Sequence, residues 1–243
     1  MNTVTLNGVR STLIKGLLIQ SLPPITKPQQ RVLTETIDGR DGDRLTLLGY
    51  AAYDKTMQIA LCGDYDVDQV IQYFADNASG KVIFSNEPDK YYNYQIVKQI
   101  DFERLLRFKQ AKVTFHVQPF KYSTESDYFV YTVPSGATSY KITNRGNIYA
   151  RPTYALQGTG TVTFSVAGMA SITIDFSQCN GFCVIDTVAL NAYNTYPEVY
   201  GAQLVNRAIT GDYNNLIIKP GQRTLSWSGT LTALSIANCE RWL

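Results

Sequence analysis

A chain of 243 residues, 44% hydrophobic and 17% charged, has the length for two ordinary domains or one large β domain and the composition of a chain that folds. Its 22 basic and 20 acidic residues leave a net charge of +2, which excludes a strong sequence-independent attraction to nucleic acid or anionic lipid. The apolar run near the start, Leu17-Leu18-Ile19, is too short for a membrane span or a signal-peptide core, so neither membrane insertion nor general secretion is expected.

Val4 to Ile19 reads as one or two strands with Gly8 as a hairpin or bulge signal, and Pro23, Pro24 and Pro28 then interrupt regular structure. Arg31 to Ile37 alternates as a strand, and the loop Asp38-Gly39-Arg40-Asp41-Gly42-Asp43 supplies glycines for positive φ beside turn-forming aspartates. Strands are expected at Leu45 to Tyr53 and Thr56 to Cys62, with a polar turn at Asp54-Lys55. Val67 to Asn77 has helical periodicity: Asp66 or Asp68 caps its start, and Val67, Val70, Ile71 and Phe74 share a face. It reads as the solitary helix. Further strands follow at Lys81 to Ser85, Tyr91 to Lys98 and Ala111 to Val117. Ile100 to Lys109 reads as strand or loop, and Pro119 as a strand end. Beyond Tyr122, runs of Thr, Ser, Val and Ile divided by glycine (Thr161 to Ala167, Ser171 to Asp175, Thr230 to Ile236) read as a many-stranded sandwich or barrel. A domain boundary is placed near Ser123 to Ser126, dividing the chain into 1–124 and 125–243.

Little in the chain nominates chemistry. The single histidine, His116, has no adjacent nucleophile or orienting acid in sequence, so a structural or surface role is expected. Four cysteines, Cys62, Cys179, Cys183 and Cys239, are sparse and irregularly spaced, as reduced thiols in a cytoplasm would be. The Cys179 and Cys183 pair is too loose for a zinc knuckle and has no second pair to complete four ligands. Asp38, Asp41 and Asp43 offer oxygen ligands but lack the later glutamate of a calcium loop, and a tight turn is preferred. Gly158 and Gly160 lack the third glycine of a dinucleotide fingerprint and read as a β-turn. No metal, cofactor or catalytic residue is therefore assigned. Asp175, Asp186 and Glu198 are the acids a glycoside hydrolase reading would use, and Tyr193, Tyr196 and Tyr200 suit packing or protein contact, with a sugar platform as the alternative.

Several segments carry a resemblance: QSLPPITKPQQRVLTETIDGRDGDRLTLLG from Gln20, SNEPDKYYNYQIV from Ser85 and RFKQAKVTFHVQPFKY from Arg107, then NRGNIYARPTYALQGTG from Asn144, LIIKPGQRTLSWSG from Leu216 and the terminal CERWL. Together they resemble the distal tail proteins of long-tailed bacteriophages, although Asp38 stands where a related turn has proline. The resemblance implies a mainly β protein. Its amino-terminal ring-forming domain has a sheet, one helix and an extended hairpin, expected at Ile96 to Val117, and its carboxy-terminal domain is a galectin-like β-sandwich. It also implies a homohexamer around a DNA channel, without specific nucleic-acid recognition. The implied partners are the major tail tube protein, the tail-associated lysin or hub protein and a receptor-binding protein, in a virion tail tip assembled in the host cytoplasm. A carbohydrate-binding module for host cell-wall polysaccharide is the alternative function.

Overall fold

The computed structural model describes residues 1–125 and 129–243, and it divides into two compact units, Met1–Lys121 with Leu243 and Tyr122–Trp242. The first unit opens with β1 (Val4–Leu6) and β2 (Val9–Arg10), turned by Asn7 and Gly8, both at positive φ. Then come β3 (Leu17–Ser21), β4 (Gln30–Thr36), β5 (Asp43–Tyr50), β6 (Tyr53–Leu61), α1 (Val67–Asp76), β7 (Ser79–Phe84), β8 (Lys90–Gln95), α2 (Phe102–Phe108) and β9 (Gln110–Ser123). The sheet runs β2-β1-β7-β8-β9-β6-β3, while β4 and β5 form a separate two-stranded ribbon. Alternate residues of β6 (Met57, Ile59, Leu61) and β9 (Val113, Phe115, Val117) are buried, as a strand with one covered face requires. Phe84 and Tyr94 meet Phe115 edge-to-face at 5.6 and 5.2 Å between ring centroids. The Asp66 carboxylate accepts from the Asp68 and Gln69 amides at the start of α1, whose Val70, Tyr73 and Phe74 are buried.

Four local expectations change. The α1 helix is not solitary: Asp101 caps a second helix by accepting from the Arg104 amide, and Lys109 ends it in the left-handed region. The polar turn at Asp54-Lys55 lies inside β6, because the chain breaks at Ala51-Ala52 instead. Pro119 does not end β9. Pairing with β6 stops at Val117, so the missing amide of Pro119 takes no bond from that ladder. Finally, 96–117 is not an extended hairpin but a connection, α2 and a strand within the sheet; the extended hairpin is β4 with β5.

The second unit comprises β10 (Phe129–Thr132), β11 (Ser139–Asn144), β12 (Thr153–Val166), β13 (Ser171–Asp175), β14 (Phe182–Asp186), β15 (Asn191–Tyr193), β16 (Ile209–Gly211) and β17 (Gly221–Ala237). The long strands β12 and β17 pair antiparallel, and each changes its outer partner partway along. One end of β12 pairs with β14 and the other with β13; one end of β17 pairs with β10 and the other with β11. Register shifts at Gln157/Gly158 and between Thr159 and Thr163 mark where both strands bend, so one curled sheet supplies both walls of a single core. Gly158 and Gly160 are thus inside β12 and form no chain-reversing β-turn. A Cβ on Gly158 would stand 2.5 Å from the Thr230 carbonyl oxygen and 2.8 Å from the Phe176 ring.

Candidate assembly surface

The ribbon of β4 and β5 is the least covered regular structure in the first unit: every residue of β4 and all but Tyr50 of β5 are exposed. Its register sets Val32 opposite Leu47 and Thr34 opposite Leu45, so by the two-residue period these four share a face. On the other face Leu33 faces Thr46 and Glu35 faces Arg44, with 3.9 Å between the charged groups. Leu45 and Leu47 are 63% and 65% exposed, an unusual position for paired strand leucines. The tip is the predicted glycine turn, with Gly39 and Gly42 at φ +77° and +78° and Thr36 donating to Asp43 at 3.2 Å. Asp38, Asp41 and Asp43 do not converge into a group that could hold a metal ion among the described residues. An isolated two-stranded hairpin is marginal in water, so a ribbon like this gains most from a partner surface.

The root of the ribbon is tied to the sheet. The Lys55 ammonium donates to the Pro24 carbonyl at 2.7 Å, Asn86 Nδ2 to the Pro23 carbonyl at 3.1 Å, and Tyr53 to the Thr26 carbonyl at 3.4 Å. Tyr50 meets Phe120 of β9 edge-on at 5.6 Å. Beneath lies a buried polar group: Glu87 accepts from Lys121 at 2.8 Å and from the Tyr92 hydroxyl at 2.7 Å, and the Lys55 ammonium sits 4.9 Å from the Tyr92 ring centre. Burial pushes the Lys55 amine down to about 8, with Glu87 opposing the shift and Lys121 adding to it. Burial, then the bond to Glu87, raises the Tyr92 hydroxyl well above its usual range. In sequence Lys55 reads as a turn residue, because a charged pair between two apolar runs has the pattern of a turn.

The segments that carry the resemblance meet at such polar nodes. Glu87 and Tyr92 belong to one and Lys121 to another, while Asn86 holds the proline link. In the second unit Asn144 donates to the Ile218 carbonyl at 2.9 Å, and Arg145 grips Glu240 through two bonds of 2.6 and 3.0 Å. A Cβ on the intervening Gly146 would overlap the Arg241 carbonyl.

The residues considered for chemistry are spent locally. His116 Nδ1 lies 2.9 Å from Asp54 on the outer side of the β6 and β9 pair, and Asp54 also takes Lys98 at 2.6 Å; Lys98 first, then His116, hold its carboxyl below the usual range. Asp175 caps a short 3-10 turn by accepting from Ser177 and Gln178, and Asp186 accepts from the Val188 and Ala189 amides. Glu198 is exposed in a loop. Cys179, Cys183 and Cys239 lie in the core of the second unit, whereas Cys62 is exposed in the first. Of the three tyrosines, Tyr193 belongs to β15, Tyr196 packs on Phe182 at 5.7 Å and Tyr200 is fully exposed.

The structure thus presents two β-rich units with internal polar nodes, the first bearing an uncovered apolar ribbon. Comparison narrows the class. Residues 11–117, which lie within the first unit, match the family described as the phage tail protein RIFT-related domain. Over its whole length the chain has the fold of the Dit protein of phage SPP1, described as a paradigm of the hub adsorption apparatus in phages that infect Gram-positive bacteria. The TM-score is 0.66 at 16% identity, with all of both chains covered. It is also similar to a chain of the phage p2 baseplate in its activated conformation with calcium (TM-score 0.56, 10% identity, 100% and 98% covered) and with strontium (0.52, 10%, 97% and 96%). No curated protein matches the sequence significantly.

Proposed function

We propose that this chain is a distal tail protein, a structural component of a long-tailed phage tail tip that binds other proteins and catalyses no reaction. Six copies form a ring that joins the tail tube above to the tail-associated hub and adhesion apparatus below, and DNA passes through its channel without specific recognition. The ring assembles in the host cytoplasm and resides in the virion. The observation that carries this reading is the uncovered β4–β5 ribbon on a chain whose whole length has the SPP1 Dit fold. Ring closure needs two different surfaces of one subunit to meet, and a projecting ribbon supplies one of them.

In this reading residues 1–124 form the ring, and 125–243 form a galectin-like sandwich that recruits a receptor-binding protein. The loop between β15 and β16 exposes Val199, Tyr200 and Leu204, and exposed apolar side chains of this kind suit a protein partner better than a polysaccharide. Of the three tyrosines, Tyr196 packs on Phe182 while Tyr200 is open, an arrangement that favours packing and protein contact over a shared sugar platform.

Light scattering on the purified chain tests the ring. The expected particle has six times the 27.2 kDa chain mass and appears as a ring in negative stain. Monomer alone across micromolar concentrations overturns the reading.

A further inference from the structure

Three of the four thiols lie in the core of the second unit, and two of them, Cys179 and Cys183, flank one tight turn. Asn180 and Gly181 take φ of +55° and +78° at its centre, and the Phe182 amide closes it on the Cys179 carbonyl at 3.1 Å. Both ends are pinned. The Cys179 sulfur lies 3.7 Å from the Asp175 carbonyl oxygen and 3.8 Å from that of Phe176. Cys183 sits in β14 opposite Leu156 of β12, and the Gly158 amide donates to the Gly181 carbonyl at 3.0 Å. Within this frame the Cys183 thiol donates to the Cys179 sulfur, which holds Cys179 below and Cys183 above the usual thiol range. Sulfurs in hydrogen-bonding contact, on residues whose backbones a tight turn already holds together, need little movement to bond. The third core thiol, Cys239, stands near Glu240 and Arg145 instead.

We infer that Cys179 and Cys183 form a dithiol that a small hydroperoxide converts to a disulfide within the folded chain. The Cys179 thiolate attacks one peroxide oxygen, the O–O bond breaks with hydroxide leaving, and Cys179 becomes a sulfenic acid. The Cys183 sulfur then attacks the Cys179 sulfur, the S–O bond breaks, and the departing oxygen takes the Cys183 proton and leaves as water. The dithiol loses an electron pair and the peroxide gains it. Burial selects the oxidant: Cys179 is 1% exposed and Cys183 fully covered, so a molecule as small as hydrogen peroxide reaches the pair during brief openings where a bulky aromatic disulfide does not. The bond clasps the turn beside Phe176, whose ring packs at the Gly158 bend of β12. On the reading above, the chain leaves a reducing cytoplasm for an oxidising exterior, so the clasp closes after release. That timing rests on the reading; the bond itself does not.

The full chain with Cys62→Ser, which removes the exposed thiol, tests the bond. The folded protein is incubated with hydrogen peroxide, then denatured, alkylated with iodoacetamide and sequenced by mass spectrometry. Cys239 alone should be alkylated, with Cys179 and Cys183 joined and neither carrying oxygen, and dithiothreitol should restore alkylation of all three. The second-unit transition of the oxidised chain should lie about 5 °C above that of the reduced chain. Cys183→Ser in the same background should stop at the Cys179 sulfenic acid, trapped by dimedone. Three alkylated thiols after peroxide, a bond to Cys239, Cys179 accumulating as sulfinic acid or an oxidised chain with the reduced chain's midpoint each overturn the proposal. Self-association does not enter the readout, so a chain that forms no ring overturns the function proposed above and leaves this bond standing.

Discussion

Tyr154 and Phe164 lie ten residues apart on one strand, yet their rings meet edge-to-face with centroids 5.3 Å apart. Straight strand of that length would separate them by about 33 Å. The strand therefore folds over on itself, and the bend sits at Gly158, where the register shifts and the Thr230 carbonyl comes too close for any side chain. Tyr154 also donates to the Leu216 carbonyl at 2.9 Å, which fixes the ring inside the fold it creates.

Gly158→Ala should accordingly destabilise the second unit by about 1–3 kcal/mol, the usual range for forcing atoms into a packed site. Gly160→Ala is the control: its φ is +67° but nothing lies within 4 Å of the added Cβ, so only the left-handed backbone cost of about 1–2 kcal/mol applies. Urea midpoints on the two variants compare them. A Gly158 variant with the wild-type urea midpoint would refute the close-approach account.

The Glu87 and Lys121 side chains are 10% and 6% exposed, so their ion pair is buried and its partners are dear to separate. Lys121→Met should cost about 3 kcal/mol, because it leaves a buried carboxylate with one neutral donor, Tyr92. The double variant Glu87→Leu with Lys121→Met should cost much less than the two single changes combined, since no charge is then stranded. Chemical unfolding of the four proteins measures the coupling. Strict additivity would mean that the two groups do not act as a pair.

Thiol reactivity should separate the cysteines by burial. Cys62 is exposed, whereas Cys179, Cys183 and Cys239 are buried. The Cys183 thiol is raised by its hydrogen bond to Cys179 and by burial, and burial pushes Cys239 up to about 11, so both stay protonated and unreactive at neutral pH. An aromatic disulfide reagent should find one fast thiol per native chain and four after denaturation. Cys62→Ser should abolish the fast phase, and any fast phase left in it would show the second unit opening.

Much of the architecture was legible from residues whose neighbours in sequence decide their role. Gly8, an aspartate cap at Asp66 or Asp68 and the alternation from Ala111 to Val117 each signal local structure; Gly8 turns β1 into β2, Asp66 is the cap, and the alternation is a strand. What stayed hidden depends on distant residues. Val32, Leu45 and Leu47 have the pattern of core-facing strand residues, and only the folded chain shows them exposed on the extended hairpin, which the resemblance alone implies at 96–117. Lys55 looks like a turn residue because its partners, Pro24, Glu87 and Tyr92, come from a loop, a turn and a strand distant from it in sequence. The α2 helix hid because only Leu105 of its seven residues is buried, leaving no periodic face to detect. Gly158 resembled a turn because a glycine needed for space and one needed for chain reversal look alike in sequence.

Lys55 gives the first unit a pH dependence opposite to that of an ordinary salt-bridged lysine. Its folded value, about 8, lies below its unfolded value near 10.4, so between those limits the unfolded chain binds more protons and stability rises with pH. The full shift corresponds to about 3 kcal/mol, with roughly half of it gained by pH 9. Above pH 10 the trend reverses: Tyr73, Tyr92 and Tyr94 are raised chiefly by burial, so the unfolded chain loses their protons first and stability falls. The urea midpoint of the first-unit transition should therefore climb from pH 7.5 to a maximum near 9.5 and then drop. Lys55→Met should erase the climb and keep the drop, because it removes the buried ammonium but leaves the tyrosines. A wild-type profile that is flat or falling from pH 7.5 to 9.5 would show that the ammonium bond to Pro24, together with Glu87, compensates the lysine for its burial, and that the ribbon root is tied by charge at every pH the protein meets.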